Sequence, residues 1–535
     1  SQKPVNGDGD FTFSRSTAAT RVNADGNIEK ETMNLVPRSN DFSAWSKASN
    51  ASVTSGQAGY DGTNDAWLAT SSSTAQNYQV YRGWTTYGVQ TFSIYAKANT
   101  ATIFLIDYAI PDNGFVRVDL TDGSVVAEST ASTFIGSNVE DVGNGWYRIS
   151  LTANVTNSAY IRAGAYSTAG SVYIQDAQVE QGLVARDYIE TTTAAVEGGI
   201  TDNVPRLDYT DSSCPALLLE PQRSNLVTQS EYFGDSSWVK VSSGSGSNAL
   251  VSDNYGTSPE GIQNASRLQL NLNGATSASD ISYIAYYYTA TGVATTNSIY
   301  MKSLSGTSNV RIRCGSTFES VDVTTDWQRF NLTDSSTSDR FQILIYGGVN
   351  SDTADLLVYA AQAEAGSYAT SYIPTYGTSV TRNADASLVT GVSDIIGQSE
   401  GTAYVDFMFN NKGDAGVDSS FFAMKNSAGT SYLNIFRLNT TLAFRFFDNG
   451  SNQFFHTETP ANQTRLKIAF AYKQNDFALY INGVQEAVDT NGSVGAMSQI
   501  HLAGFSVGDN ITENYQTMLF KTRLSNEELA ALTTI

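Results

Sequence analysis

Two clusters of aromatic residues are the part of this sequence best suited to chemistry at a surface. YQVYRGWTTYG at 78–88 sets four aromatic rings around one arginine. Its positional counterpart, YIAYYYTATG at 283–292, contains four tyrosines. Aromatic rings stack on sugar rings, while arginine and amide groups bond the hydroxyls. The alternative is that alternate rings belong to the core or to subunit contacts. The residues predicted to bind carbohydrate are Tyr78, Tyr81, Arg82, Trp84, Tyr87, Tyr286 and Tyr288.

Residues that could support catalysis are sparse. The two histidines, His456 and His501, stand near no nucleophile motif, and the chain has no GxSxG, HExxH or phosphate-binding glycine loop. Glycoside hydrolysis needs two carboxylates that flank the sugar. Asp406 stands alone in AYVDFMF, and Asp448 lies beside a turn in FFDNG. We therefore predict a protein that is not an enzyme.

Polar loops near the C-terminus suit adaptable hydrogen bonding instead. They span 410–420, 448–453 and 489–493, and Asp448 and Asn452 join the predicted carbohydrate-binding residues. The acidic stretches NGDGD (6–10) and NADGN (23–27) offer oxygen ligands for Ca²⁺, but neither has the ligand spacing of a known loop. Turns are the favoured interpretation, so no cofactor and no metal site is predicted, with Ca²⁺ as the open alternative.

Composition limits the classes of partner. The 535 residues carry a formal net charge of −21, which repels a nucleic-acid backbone. No run of about 20 apolar residues predicts a membrane span, and Ser1 begins no signal-peptide pattern. The two cysteines, Cys214 and Cys314, form no metal spacing; we expect free buried thiols, with a single bridge as the alternative.

An internal repeat organises most of the chain. Two stretches match at a constant separation: AQVEQGLVARDYIET at 177–191 and AQAEAGSYATSYIPT at 361–375. The segments that end in these stretches also begin with similar sequences, NLVPRSNDFSAWSK at 34–47 and NLVTQSEYFGDSSWVK at 225–240. FSIYAK echoes NSIYMK, and NGWYRISLT echoes TDWQRFNLT, in the same order. These echoes predict a duplicated module, at 34–192 (module 1) and 225–376 (module 2). The repeated Gln and Glu residues are interpreted as the polar face of a last strand.

Alternating apolar and polar residues predict that each module is an all-β sandwich of jelly-roll type. The last part, 396–535, has a different pattern of apolar and polar residues. LKIAFAYKQNDFALYINGVQ predicts a hairpin with a turn at 474–476, followed by a type I′ turn at Asn482-Gly483. LAFRFFDNGSNQFFH predicts another hairpin. LSNEELAALTTI predicts the one clear helix, with Ser525 and Glu528 forming a capping box.

The C-terminal part resembles the concanavalin A-like lectin/glucanase superfamily, in particular its laminin-G and pentraxin-like branch. The resemblance implies a tandem of carbohydrate-binding-module-like sandwiches followed by a concanavalin A-like lectin sandwich. The predicted domains are an N-terminal arm or attachment segment (1–33), module 1 (34–192), a connector (193–224), module 2 (225–376), a linker (377–395) and the lectin-like domain (396–535).

A second resemblance covers more of the chain. Five motifs resemble the recurring motifs of bacteriophage virion structural and fibre proteins. They are FTFSRSTAATRVNADGNIE (11–29), NVPRLDY (203–209), ALLLEPQRSNL (216–226), SYIPTYGTSVTR (371–382) and RLSNEELAALT (523–533). There the first motif is commonly followed soon by the second and third, so module 1 could be inserted within a leading segment of module 2. Tandem duplication, with an arm for each copy, explains the match of Arg15 to Arg206 and is preferred.

The resemblance implies a virion fibre protein, of the tail or the head, that binds host surface glycan without catalysis. Its expected partners are other virion proteins, reached through the N-terminal segment, and host polysaccharide, with no nucleic acid and no membrane insertion. A homo-oligomer, preferably a trimer, is expected because weak sugar sites gain from avidity. The expected location is the virion, assembled in the host cytoplasm. The alternatives are a purely structural decoration or spacer protein of the virion and a bacterial surface adhesin.

Overall fold

The computed structural model describes residues 11–74, 77–84, 87–109, 114–156, 159–335, 339–410, 419–502 and 511–535. Strands dominate these residues, and they form three sandwiches, so the all-β fold class is confirmed. The N-terminal arm contains β1 (Thr12–Ser14), β2 (Arg21–Val22), β3 (Ile28–Glu29) and β4 (Thr32–Asn34).

Module 1 opens with a 3-10 turn at Phe42–Ala44 and continues with twelve strands. They are β5 (Ser46–Lys47), β6 (Ala51–Gln57), β7 (Ala66–Ser71), β8 (Val80–Trp84), β9 (Gly88–Ala98), β10 (Ile103–Tyr108), β11 (Phe115–Asp119), β12 (Ser124–Glu128), β13 (Phe134–Gly143), β14 (Trp146–Val155), β15 (Ala159–Ala165) and β16 (Gly170–Gln181). The connector contains β17 (Val196–Gly198), β18 (Arg206–Asp208), β19 (Ala216–Leu219) and β20 (Arg223–Asn225).

Module 2 contains ten strands. They are β21 (Trp238–Ser243), β22 (Ser247–Gly256), β23 (Ala265–Asn271), β24 (Ile281–Tyr287), β25 (Thr295–Ser303), β26 (Ser308–Cys314), β27 (Thr317–Val323), β28 (Gln328–Asp334), β29 (Arg340–Tyr346) and β30 (Thr353–Ala365). The rest of the chain contains β31 (Val380–Arg382), β32 (Ala386–Thr390), β33 (Glu400–Phe409), β34 (Ser419–Lys425), β35 (Tyr432–Leu438), β36 (Thr441–Asp448), β37 (Ser451–Glu458), β38 (Thr464–Lys473), β39 (Phe477–Ile481), β40 (Val484–Asp489), β41 (Gln499–His501), β42 (Thr512–Phe520) and the helix α1 (Asn526–Thr533).

The two modules share one topology. One sheet of module 1 runs β12-β11-β10-β15-β8-β5, and its counterpart in module 2 runs β27-β26-β29-β24-β21. The other sheets run β13-β14-β9-β16-β7-β6 and β28-β25-β30-β23-β22. Module 2 thus repeats the strand order of module 1 without counterparts of β12 and β13. Apolar side chains from both sheets of each module meet in one buried core.

The C-terminal sandwich consists of two seven-stranded sheets, β1-β32-β41-β34-β35-β36-β37 and β18-β19-β42-β33-β38-β39-β40. The arm and the connector therefore supply strands to this sandwich, one segment to each sheet. The described residues outside 396–535 that complete it lie in β1, β18, β19 and β32. A single core of Phe, Leu and Ile side chains fills the space between the sheets.

The turn chemistry of the C-terminal sandwich matches the expectations from sequence. Asn482 and Gly483 have φ values of 50° and 85°, and Asn449 and Gly450 have 50° and 80°, as type I′ hairpin turns require. Ser525 accepts a hydrogen bond from the Glu528 amide, and the Glu528 carboxylate accepts one from the Ser525 amide. The capping box of α1 is therefore confirmed.

The repeated polar residues hold each module together internally. Gln178 accepts a hydrogen bond from the Ile189 amide (2.8 Å), and Gln362 accepts one from the Ile373 amide (2.7 Å). These glutamines, together with Glu180 and Glu364, are buried. The interpretation of these residues as an outward polar face is wrong: the exit segment of each module folds over them and uses them as hydrogen-bond partners.

Two buried ionic clusters join the modules to the arm and connector. In the first, Lys30 Nζ contacts Glu231 and Glu260 at 2.6 Å each, and Arg186 binds Glu260 at 2.9 Å. In the second, Arg206 and Arg382 both bind Glu220 at 2.6 Å, while Asp385 binds Arg15 at 2.9 Å and also contacts Arg206. Since the side chains of these members are at most 11% exposed, each cluster ties distant segments into one position.

Candidate carbohydrate-binding surfaces

Residues of β8 alternate between the core and the outside of module 1. Val80 is buried in the core, and Tyr81 lies on the outer side beside Arg162 of β15, its partner in register. The Tyr81 ring lies 5.8 Å from the Tyr78 ring and 6.0 Å from the Tyr160 ring, centre to centre. The structure therefore brings Tyr78 and Tyr81 together.

A charged pair completes this surface. Arg162 binds Asp107 of β10 through two hydrogen bonds of 2.7 and 2.6 Å, and its guanidinium lies 4.7 Å from the centre of the Tyr78 ring. Burial raises the pKa of Asp107, although the Arg162 charge opposes that shift. We call Tyr78, Tyr81, Asp107, Tyr160 and Arg162 the outer face of module 1. Its rings are held by neighbours, which limits the entropy lost on binding.

The other predicted residues of module 1 lie elsewhere. Arg82 points to the opposite side of β8 from Tyr81, where its charged neighbours are Arg38 and Asp41. Burial and Arg38 lower the pKa of Arg82. Tyr87 is 53% exposed and lies at the rim of a cavity. The backbone of Trp84 pairs with Ala159, while its side chain lies outside the described part of the structure.

Two predicted residues of module 2 are corrected. Tyr286 is only 5% exposed, because its ring packs 5.2 Å from the Trp238 ring and its hydroxyl accepts a hydrogen bond from the Thr228 amide. Tyr288 is half-buried and donates to the Asn297 side chain (2.9 Å). Both side chains pack on the core of module 2, so neither presents a ring face to a ligand.

The tyrosine between them, Tyr287, points outward instead. Tyr287 is 48% exposed, and the Arg340 guanidinium of β29 lies 5.6 Å from its ring centre. Phe318 of β27 is also exposed, with the Arg313 guanidinium 4.4 Å from its ring centre. We call this surface the outer face of module 2; it consists of Tyr283, Tyr287, Arg311, Arg313, Phe318, Arg340, Gln342 and Tyr346.

Sequence reasoning missed most of these residues, although their signal is visible. NVRIRC alternates apolar and arginine side chains, a pattern that places Arg311 and Arg313 on the outside of a strand. Arginine beside aromatic rings on a sheet face is a group that can bind planar or hydroxylated ligands.

Asp448 does not face solvent as a ligand for sugar hydroxyls. It is 4% exposed and accepts hydrogen bonds from Ser431, from Asn449 (2.8 Å) and from Ser493 (2.7 Å). The Ser493 contact joins the loop at 489–493 to the turn at 448–453, so the structure brings these two predicted loops together. Asn452 is exposed beside them. Of the third loop, residues 411–418 lie outside the described part.

Two concave sites lie where the modules meet. A cavity of about 430 Å³ is lined by both apolar and polar groups, with Tyr87, Met33 and Tyr376 among them. A more polar groove of about 510 Å³ lies between the strands β13 and β14 of module 1 and the β22–β23 region of module 2, with Arg148 and Asn254 in its wall. Both volumes are those of ordinary ligand sites.

The remaining predictions concern metals, thiols and membranes. NGDGD lies outside the described residues, while Asn23 of NADGN accepts hydrogen bonds from the amides of Asp25 and Asn27 (3.0 Å each) as a turn. Within the described ranges no group of three or more His, Cys, Asp or Glu side chains is arranged for a metal, and no helix is long and apolar enough to cross a membrane. Neither cysteine forms a disulfide; Cys314 is buried, as expected, but Cys214 is exposed, contrary to expectation.

The chain resembles solved β-sandwich proteins. It matches no protein-family model and no curated protein. A CBM40 of the Ruminococcus gnavus IT-sialidase, bound to α2,3-sialyllactose, matches 26% of this chain and 84% of its own, with 16% identity and a TM-score of 0.22.

Two further matches cover more of the chain. The CBM22-1–CBM22-2 tandem of Paenibacillus barcinonensis Xyn10C matches 62% of this chain and 97% of its own, with 11% identity and a TM-score of 0.22. The LG1-3 region of the laminin α2 chain matches 83% and 96%, with 9% identity and a TM-score of 0.15.

Proposed function

We propose that this chain is a non-catalytic glycan-binding protein of a bacteriophage particle, a tail or head fibre that engages polysaccharide on the host envelope. The five sequence motifs support the virion assignment. One structural observation carries the binding function: both modules expose tyrosine rings beside arginine on the same sheet, β8 and β15 in module 1 and β24 and β29 in module 2. Such surfaces bind sugars through ring stacking and hydroxyl contacts.

Glycan binding is tested with the full chain on a glycan array and on host cells. Tyr81→Ala together with Tyr287→Ala removes one ring from each outer face, the half-buried ring of Tyr81 and the exposed ring of Tyr287. We expect at least about a fivefold loss of cell binding, because each ring contact contributes on the order of 1 kcal/mol. Tyr255→Ala is the matched control, since Tyr255 is an exposed tyrosine on the other sheet of module 2. An array without any bound glycan, and cells without bound protein, would refute the proposal.

The C-terminal sandwich is the proposed outermost domain, and its exposed loops are tested separately. Deleting 396–535 would leave β1, β18 and β19 without their partner strands, so substitution is the cleaner design. Asn452→Ala alters an exposed side chain in the joined loops, and a loss of cell binding would place recognition there. Unchanged binding would restrict recognition to the modules.

A spacer role is the second candidate, and the buried ionic clusters favour it. Lys30, Arg186 and Glu260 fix module 1 against module 2, and Asp385 fixes the arm and connector near the C-terminal sandwich. Rigid coupling of this kind suits a structural element of a particle. The spacer proposal predicts that particles carrying the double tyrosine variant adsorb to host cells as well as the unmodified particles do.

Assembly belongs to the proposal as well. We propose a homo-oligomer, preferably a trimer, attached to other virion proteins through the N-terminal segment, because weak sugar sites become useful only when several act together. Light scattering of the purified chain checks this. A mass of 57.5 kDa at micromolar concentration would show a monomer.

A further inference from the structure

The outer face of module 2 gathers three guanidinium groups in a strongly acidic protein. Arg311 and Arg313 project from β26, and Arg340 projects from the neighbouring strand β29. Each stands over an aromatic ring: Arg311 lies 5.5 Å from the Tyr346 ring centre, in addition to the contacts of Arg313 and Arg340 described above. The rings hold the cations against the sheet and keep them partly desolvated.

Carboxylates neutralise this face only in part. Asp339 pairs with Arg340 at 2.8 Å. Among the described residues neither Arg311 nor Arg313 forms an ion pair. Their hydrogen bonds go to the Ser320 hydroxyl (3.3 Å), to the Gly315 carbonyl (2.6 Å) and to the Gln342 side chain (3.0 Å). Burial and the nearby Arg340 charge lower the pKa of Arg313, although Asp339 acts in the opposite direction.

Module 1 has a neutral arrangement at the same place. In register, Arg313 of β26 faces Gln342 of β29, and in module 1 the corresponding strands β10 and β15 place Asp107 opposite Arg162. Asp107 and Arg162 bind each other with two hydrogen bonds. The pair that is neutral in module 1 therefore carries one unpaired positive charge in module 2.

We propose that the outer face of module 2 selects glycans that carry isolated acidic groups, with Arg311 and Arg313 binding the acid and Tyr287 or Phe318 contacting a sugar ring. A guanidinium offers a planar pair of N–H donors that matches a carboxylate. This inference rests on the proposed glycan-binding function and narrows its ligand to acidic glycans. Because Arg311 and Arg313 form no ion pair with any described residue, the anion can bind them without breaking one.

Nucleic acid is the other class of anion that arginine and aromatic groups bind. The formal net charge of −21 acts against it, since a duplex carries one phosphate charge per about 1.7 Å and a single strand is also densely charged. A glycan with one acidic group among neutral sugars meets far less repulsion from the rest of the surface. The observations therefore favour acidic glycan over nucleic acid.

The test compares probes that differ only in charge. A trisaccharide with one uronic acid between two neutral sugars and the methyl ester of the same trisaccharide share one sugar backbone, and a thymidine oligonucleotide represents nucleic acid. Binding to the full chain is measured by calorimetry in low salt and again at about 0.5 M salt, where charge contacts are screened. We expect the acid to bind at least about tenfold more tightly than the ester, with a preference that falls with salt.

Substitutions then locate the preference. Arg311→Gln together with Arg313→Gln should abolish the preference for the acid. Arg313→Asp with Gln342→Arg should do the same, because it copies the neutral pair of module 1. Arg267→Gln is the matched control: Arg267 also lies over a tyrosine, but on the other sheet and paired with Asp355.

The outcomes separate this inference from the function on which it rests. Equal binding of acid and ester, or a preference that survives both module 2 variants, overturns acidic selection and leaves glycan binding intact. Tighter binding of the oligonucleotide than of the acid also overturns it, in favour of a nucleic-acid surface. If neither trisaccharide binds and the glycan array is also blank, the proposed function itself fails. Melting temperatures of all variants near that of the unmodified chain exclude misfolding as a cause.

Discussion

Modules 1 and 2 are built on the same internal framework but expose different chemistry. Asn34 donates to the Ala177 and Ile189 carbonyls, and Asn225 donates to the equivalent carbonyls of Ala361 and Ile373. The strand order of their shared sheets is also the same. The outer faces, in contrast, differ in charge at matched positions. The buried polar groups therefore specify the fold, and the exposed face is free to change its ligand.

A second difference lies in the segments that lead into the two modules. Glu220, before module 2, is buried between Arg206 and Arg382. Glu29, which stands at the same place before module 1, forms a partly exposed pair with Arg21. The equivalent glutamates of the two copies thus differ: Glu220 belongs to a buried ionic cluster, and Glu29 belongs to an ion pair at the surface.

The largest effect that we predict follows from this difference. Glu220→Gln should lower the free energy of unfolding by about 3–5 kcal/mol, because Arg206 and Arg382 would lose a buried counter-charge. Burial alone would raise the pKa of Glu220, but Arg382 and Arg206 hold it well below its usual range. Urea unfolding of the full chain measures the change. Glu29→Gln is the matched control and should change it by less than about 1 kcal/mol; equal effects of the two variants would contradict the comparison.

The shared framework predicts equal effects in both modules. Asn34→Ala and Asn225→Ala should each lower stability by about 2–3 kcal/mol, because each leaves buried carbonyl and amide groups without their partners. Asn138→Ala serves as the control, because Asn138 is an exposed asparagine in β13 of module 1. A cost in only one module would show that the two frameworks are not equivalent.

The fold class could be predicted from the sequence because it depends on local patterns that recur along the chain. The echoes around Gln178 and Gln362, the Asn-Gly turns and the Ser525 cap all have local physical causes, and the structure contains each of them. Sequence reasoning misjudged the candidate site because one residue of register decides which side of a strand faces outward. Tyr286 and Tyr287 are neighbours in sequence, yet only Tyr287 is exposed. The pairing of Asp107 with Arg162 depends on strand order, which a single sequence does not specify.

A difference at one framework position predicts a pH-dependent contribution to stability in module 1 that this position does not make in module 2. Asp176 has a φ of 53°, and its counterpart in module 2, Ala360, has 57°. Burial, together with Asp65 and Asp61, raises the pKa of Asp176 to about 7, although Tyr60 donates a hydrogen bond to it. A pKa raised on folding stabilises the protein at low pH, and this contribution is lost as the pH rises through about 7.

The corresponding variant is Asp176→Asn, which removes the titrating group and keeps the hydrogen-bonding shape. The unmodified chain should lose about 2–3 kcal/mol more stability between pH 5 and pH 8 than the variant does, at about 1.4 kcal/mol per pH unit below the raised pKa. Urea unfolding at the two pH values measures this. Parallel curves for the two proteins would show that Asp176 titrates at an ordinary pKa.

The smallest effect on stability separates the outer face of module 2 from its interior. Tyr287→Ala removes a half-exposed ring, so stability should change by less than about 1 kcal/mol while glycan affinity falls severalfold. Tyr286→Phe, its neighbour, removes a hydroxyl that accepts from the Thr228 amide, so stability should fall by about 1 kcal/mol with no change in affinity. Melting curves and glycan binding are measured on the same preparations. A loss of affinity in Tyr286→Phe, with or without a loss in Tyr287→Ala, would show that ligand binding depends on the interior of module 2. The distinction between a shared buried framework and a variable outer face would then be wrong.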